Sequence, residues 1–164
     1  MKFNLIFEGT DCVGKTSTIS ELIKILKFKQ LIKFDAPKNY NSSYNHNIKT
    51  TKILNDNYGI ILDRSMFGEE IYGPMFRKYD VKYMRLLEKS LELHNIYILM
   101  VANEDILERR FDGEFVNLEQ QKLVQKLFKD QFKKSNVKIK FLIDSSNKTP
   151  KELAHEILFK IINL

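Results

Sequence analysis

Apolar residues along this chain change their period again and again, so that short strand-like runs alternate with helix-like stretches. Phe3 to Phe7 is a compact apolar run of strand formers that stops at a glycine-containing turn. From Lys15 the period lengthens, and Ile19, Leu22, Ile23 and Leu26 fall on one face of a helix. Leu31 to Phe34 reads as a second strand. Pro37 to Asn47, rich in Asn, Ser and Tyr, reads as a loop before a weak helix over Ile48 to Asn55. Tyr58 to Leu62 forms a third strand that ends at Asp63. Val81 to His94 follows as a helix with Met84, Leu87 and Leu91 on one side, and Ile96 to Val101 is the fourth strand. Asn103 caps a short helix with Glu104 and Asp105 in its first turn, where the helix dipole favours acids. Asn117 with Gln120 starts another helix, and Val124, Leu127, Phe128 and Phe132 form its apolar face. Lys138 to Ile143 is a fifth strand, and Thr149, Pro150 and Glu152 make a capping-box start for a last helix. Five strands separated by helices imply an α/β fold with a parallel sheet covered on both faces.

Composition narrows the functional classes. The 164 residues suit one domain, 1–164, with no repeat, low-complexity tract or linker. No apolar run approaches the roughly 20 residues a membrane span requires, which argues against a membrane partner. A single cysteine, Cys12, excludes an internal disulfide framework and fits a reducing compartment, so a cytoplasmic location is expected. The net charge of +6 comes mainly from scattered lysines. Without an aromatic–basic ladder, that scatter argues against a nucleic-acid partner and for solvated helix faces. His46, His94 and His155 lack metal-ligand spacing.

The chemistry is concentrated near the N-terminus. Gly9-Thr10-Asp11-Cys12-Val13-Gly14-Lys15-Thr16 satisfies G-x-x-x-x-G-K-[ST], with a strand before it and an amphipathic helix after it. Glycines let the backbone curl until several N–H groups converge on phosphate oxygens, and the helix end adds positive field. Asp11, Cys12, Val13, Gly14, Lys15, Thr16 and Ser17 are therefore the ATP-binding candidates. Lys15 reaches the β- and γ-phosphates, and Thr16 offers a hydroxyl to Mg²⁺. Cys12 sits where a thiol pKa can fall, but nothing near it in sequence supplies a base. Guanine-specific GTPase signals fail: Asn147-Lys148-Thr149 is followed by Pro150, and Asp56 to Gly59 precedes the third strand.

The third strand ends Ile61-Leu62-Asp63-Arg64-Ser65. An acid at the carboxyl end of a parallel strand points into the crevice where such sheets bind ligands. Asp63 is thus a candidate for holding Mg²⁺ through water, and Arg64 for gripping a phosphate. Taken together, Phe7-Glu8-Gly9, Asp11, Gly14-Lys15-Thr16 and Asp63-Arg64-Ser65 resemble the thymidylate kinase group of nucleoside monophosphate kinases. The run Asp63 to Arg77 resembles its compact phage-type members in particular. Glu108 to Glu114 sits where that family carries an arginine-bearing lid, taken here as 109–116, and Phe141 to Asp144 matches its last strand and adenine-side loop.

The resemblance implies a three-layer P-loop kinase fold, strand order 2-3-1-4-5, with a short lid. It implies ATP and Mg²⁺ as cofactors, a small nucleotide as substrate, and room for a homodimer. Asp11 would face the acceptor sugar, Arg64 would bridge acceptor and transferred phosphates, and Arg109 or Arg110 would neutralise the transferred group or stack on adenine. Phe67 and Tyr72 would lie near the acceptor base, and Asp35 on the acceptor side. Two departures stand out: Asp35-Ala36-Pro37 lacks the glycine of the family's acid-proline-glycine turn, and Tyr72-Gly73-Pro74 replaces Tyr-Gln-Gly. The favoured reaction is dTMP to dTDP. The rivals are a deoxynucleoside kinase with Asp35 as base, a non-enzymatic ATP-binding switch, and a polynucleotide kinase.

Overall fold

The structure, a computed structural model, describes residues 2–33, 35–113 and 117–164. Five parallel strands form one sheet in the order β2-β3-β1-β4-β5, the order implied by the family resemblance. They are β1 (Asn4–Glu8), β2 (Gln30–Lys33), β3 (Ile60–Asp63), β4 (Asn95–Val101) and β5 (Ile139–Asp144). The helices are α1 (Lys15–Ile25), α2 (Tyr40–Asp56), α3 (Met66–Tyr72), α4 (Met84–Lys89), α5 (Glu104–Arg110), α6 (Leu118–Lys134) and α7 (Pro150–Ile162). A π-helical turn, Gly73–Arg77, extends α3. No helix among the described residues is long and apolar enough to cross a membrane.

Strands β1, β3 and β4 are buried at every position, because helices cover both faces of the sheet centre. One core cluster gathers Ile6, Leu62, Phe67, Tyr97 and Phe128. The other gathers Leu5, Phe7, Ile19, Ile61, Ile98 and Ile157. Successive residues of β1 thus alternate between the two cores, as the two-residue side-chain period of a strand requires. The register pairs Phe7 with both Asp63 and Ile98. Strands β1 and β3 therefore end side by side, and the loops that follow them face each other.

The opposite rim is fixed by a buried amide. Asn4 Nδ2 donates to the carbonyls of Leu54 (2.7 Å) and Asn57 (2.9 Å) and to Asn95 Oδ1 (2.9 Å), while Asn4 Oδ1 accepts from Ile60 N (2.9 Å). One side chain thus ties together the ends of α2, β3 and β4.

Several local expectations are corrected. Helix α2 begins at Tyr40, inside the stretch read as a loop, because Asn39 and Ser42 form a capping box. Its buried positions include Ser43, Asn47, Thr50 and Thr51, so no apolar stripe marks it. Tyr83 replaces that stripe with polar contacts: its hydroxyl lies 2.6 Å from Ser43 Oγ and accepts from Asn47 Nδ2 at 3.0 Å. The helix expected over 81–94 shrinks to Met84–Lys89. No element was expected across 66–77, where α3 and the π turn lie. Of the expected lid, residues 114–116 lie outside the described residues, as does Phe34 from the second strand.

Candidate active site

The P-loop connects β1 to α1. Gly9 adopts φ 138°, and a Cβ there would stand 2.3 Å from the Met100 carbonyl oxygen, so the loop leaves the sheet where only glycine fits. Gly14, at φ 81°, is the N-cap of α1 and has open space where a Cβ would go. No side chain caps α1, and no acid occupies its first turn. Its leading N–H groups and dipole are therefore left facing the cleft. Val13 is completely buried in the core and does not line the cleft.

Lys15 is buried, with Nζ donating to the carbonyls of Gly9 (2.8 Å) and Thr10 (2.6 Å). Burial, reinforced by the charge of Arg64, pulls its pKa down to about 8, against the opposing pull of Asp11, Asp63 and Glu8. The ammonium is thus sparsely solvated, and an incoming polyphosphate gives it stronger acceptors than two carbonyls.

Across the cleft, Arg64 takes a left-handed backbone, φ 66°, directly after β3. Its N–H donates to the Phe7 carbonyl at 3.0 Å, which ties the turn to the P-loop strand. The guanidinium pairs with Asp11 and lies 5.7 Å from the centre of the Tyr72 ring. Burial works against its charge, but Asp11 and Tyr72 outweigh that and hold its pKa above the usual arginine range. Asp11, Cys12, Gly14, Lys15, Thr16, Ser17, Asp63 and Arg64 line one cleft of about 220 Å³.

Thr16 and Asp63 share that cleft, one hydroxyl and one carboxylate. This donor set suits Mg²⁺, which binds through one or two protein oxygens, waters and substrate phosphates rather than a full protein cage. No cluster of three or more His, Cys, Asp or Glu that could hold a metal occurs among the described residues.

Phe67, Tyr72, Asp35, Arg109 and Arg110 do not line the cleft. Phe67 is only 1% exposed and stacks on Tyr97 with ring centres 4.3 Å apart, so it belongs to the core rather than to a base-binding surface. Tyr72 is largely buried beneath Arg64. Asp35 is exposed two residues beyond β2, on the same rim as Asp63. Arg109 donates to the Asp105 carbonyl (3.3 Å), and Arg110 donates to the Ser145 carbonyl (3.2 Å) in the loop after β5. Neither arginine lines the cleft. Cys12 Sγ contacts Asp112 at 3.4 Å, and burial together with that carboxylate keeps the thiol pKa above its ordinary value. Such a thiol makes a poor nucleophile at neutral pH.

Sequence reading assigned no site role to Gln121, which reaches from α6 to donate to the Asp11 carbonyl at 2.7 Å. No local signal marks a contact across 110 residues. Glu8, a motif residue with no role expected from sequence, is completely buried at the end of β1. Its Oε1 accepts from Ser65 N (2.6 Å), Ser65 Oγ (2.6 Å) and Gly68 N (2.9 Å), while Oε2 is buried without a hydrogen-bond partner. Burial pushes its pKa up to about 7, against the bonds from Ser65 and Gly68 and the charges of Arg64 and Lys15. Burial thus lets this carboxyl keep a proton to a higher pH than an exposed glutamate does.

The folded protein therefore holds that proton to a higher pH than the unfolded chain does. This stabilising contribution is complete below pH 4.5 and is lost as pH rises towards about 7. Urea denaturation across pH 4.5–7 should show a loss of up to a few kcal/mol in the wild type, and Glu8→Gln should flatten that slope. Asp144, whose bonds to Ser146 lower its pKa despite burial, acts at lower pH. His46, whose pKa burial lowers, titrates in this window with the opposite sign, so the Glu8 contribution is read as the difference between wild type and Glu8→Gln. An identical slope in the variant would show that Glu8 is not the group responsible.

No family model matches the chain. It is 22% identical over 167 residues to the SPbeta prophage-derived protein YorR of Bacillus subtilis (strain 168), covering 96% of this chain and 98% of YorR. The crystal structure of YorR in complex with phosphorylated GDP superposes with a TM-score of 0.82 at 19% identity, over 97% of this chain and 95% of YorR. Thymidylate kinase from Candida albicans matches with a TM-score of 0.64 at 18% identity, over 98% and 91% of the two chains. Deoxyadenosine kinase from M. mycoides with dCMP and dCDP bound gives 0.64 at 15% identity, over 99% and 100%. With the strand order, the glycine-shaped loop and the cleft already described, these likenesses identify the chain's architecture as the P-loop nucleotide kinase fold.

Proposed function

We propose that this chain is a nucleotide kinase that transfers the γ-phosphoryl group of ATP–Mg²⁺ to a deoxynucleoside monophosphate, with dTMP as the favoured acceptor. The observation that carries the reading is the convergence of Lys15, Thr16, Asp63 and Arg64 on one cleft, from the adjoining ends of two central strands. Phosphoryl transfer asks a protein for position and charge compensation more than for covalent chemistry. Lys15 and the N–H groups that open α1 hold the donor phosphates, and Thr16 and Asp63 would hold Mg²⁺. Bound Mg²⁺ supplies charge neutralisation between the phosphates. Arg64 grips the acceptor phosphate, which is already a competent nucleophile, so no general base is needed. Asp11 gives up part of its hold on Arg64 as the acceptor enters and turns towards the acceptor sugar. Arg109 and Arg110 stand outside the cleft and reach the transferred group only if their segment moves inward.

A second reading is supported by the deoxyadenosine kinase likeness and by the exposed carboxylate of Asp35 on the acceptor rim. There the acceptor is a neutral 5′-hydroxyl, and Asp35 takes its proton. The phosphorylated GDP in the YorR complex adds guanine nucleotides to the candidates on either side of the transfer. One panel separates the readings: ADP release from ATP–Mg²⁺ with deoxynucleosides and their monophosphates, guanine included, and GTP as an alternative donor. Monophosphate-dependent release, highest with dTMP, is the expected result. Release with nucleosides alone would favour the second reading, and release independent of any acceptor would overturn both.

A further inference from the structure

The left-handed backbone of Arg64 needs a cause. A non-glycine residue held there costs roughly 1–2 kcal/mol, so its neighbours must fix it. On one side the Arg64 N–H is held by the Phe7 carbonyl. On the other, a single oxygen of Glu8 takes the N–H and the hydroxyl of Ser65 and the N–H of Gly68. Ser65 Oγ in turn accepts from Phe67 N at 3.2 Å, so the whole opening of α3 hangs from one carboxyl. Space is tight as well: a Cβ on Gly68 would lie 2.9 Å from Glu8 Oε2. Residues 7 and 8 of one strand therefore clamp residues 64, 65 and 68 from both sides.

We propose that Glu8 is a positioning residue for phosphoryl transfer, holding the Ser65–Gly68 turn so that Arg64 keeps its left-handed backbone and its guanidinium stays aimed into the cleft. The inference rests on the kinase reading above, in which Arg64 grips the acceptor. A carboxyl suits the task because one of its oxygens can accept several bonds at once. Truncating it strands three buried donors, and they regain partners by moving the turn. With the clamp gone, Arg64 relaxes to negative φ and its side chain swings away from the position beside Lys15.

The test combines kinetics with a structural readout that does not depend on turnover. Glu8→Ala is expected to lower kcat about 10- to 100-fold with the KM for ATP little changed, the loss that a misplacement of the order of an ångström produces. Glu8→Gln keeps an oxygen acceptor in the same place and should recover most of that loss. Gly68→Ala pushes the carboxyl aside without removing it, should resemble Glu8→Ala, and serves if the latter fails to fold. In parallel, the H–N–Cα–H coupling of Arg64 and the amide exchange of Ser65 and Gly68 are read by NMR. Loss of the left-handed coupling and of amide protection in Glu8→Ala, restored in Glu8→Gln, supports the proposal. An unchanged Arg64 backbone in a folded Glu8→Ala overturns it, as does full kcat despite a lowered Tm, since that is a folding role alone. Should the wild type phosphorylate no acceptor, the functional reading falls, and the NMR result still decides whether Glu8 sets the Arg64 geometry.

Discussion

If the chain is the kinase proposed above, Arg64→Ala is expected to lower turnover about 100- to 1,000-fold while Mg–ATP still binds, the loss typical when one charge-stabilising donor is removed from a reacting centre. The reason lies in the local geometry. Arg64 is the cation at the β3 side of the cleft, paired with Asp11 and seated by the Tyr72 ring. Steady-state kinetics with saturating ATP and a varied acceptor, plus calorimetry with ATP alone, check the two halves. An unchanged kcat removes Arg64 from the mechanism. Arg64→Gly supplies a second comparison, because glycine adopts φ 66° without strain. It should be as inactive as Arg64→Ala but more stable than it by about 1 kcal/mol. Equal stability of the two would show that any backbone strain here is no larger than the unfolded-state entropy glycine adds.

Lys15→Ala should be the more damaging change to donor handling, with turnover down at least about 1,000-fold and weaker ATP binding. Stability should move much less, within about 1 kcal/mol, because two effects oppose each other. Removing a buried ammonium relieves a desolvation cost, seen in its depressed pKa. The carbonyls of Gly9 and Thr10 lose their donor at the same time. Differential scanning calorimetry beside a coupled ADP assay distinguishes this from simple unfolding. A variant that binds ATP as tightly as the wild type would contradict the role given to Lys15.

Much of the fold was legible because its strongest determinants are local. The five strands are short apolar runs closed by turn residues, and α6 and α7 begin with side chains that cap their own N–H groups. The phosphate-binding loop declares itself through glycines at fixed offsets. What escaped is non-local or polar. Helix α2 buries serine, asparagine and threonine against a tyrosine from another segment, so hydrophobic periodicity has nothing to detect. Helix α3 carries Gly68 in its body and runs into Pro74, both of which argue against a helix in isolation. At the site, the sequence pointed to Asp11, Lys15, Thr16, Asp63 and Arg64, and the structure brings them to one cleft. It could not show that Phe67 turns into the core, that Arg110 reaches Ser145, or that Gln121 reaches the P-loop. Each depends on how distant segments meet. Glu8 is the same case, a polar residue in an apolar strand whose meaning appears only when the next strand is laid beside it.

The asparagine that opens β1 has a consequence for assembly. Strands β1 and β4 are both nearly continuous apolar runs, and sliding one past the other by two residues would leave greasy side chains on the same faces. Such a slip would separate Asn4 from Asn95 and break the buried amide–amide hydrogen bond between them in the dry interior. Mis-threaded sheets are thereby penalised at the rim farthest from the chemistry, as a key fits only one notch; the same asparagine, accepting from Ile60 N, fixes β1 against β3, so the two loops that meet across the cleft arrive at the same height.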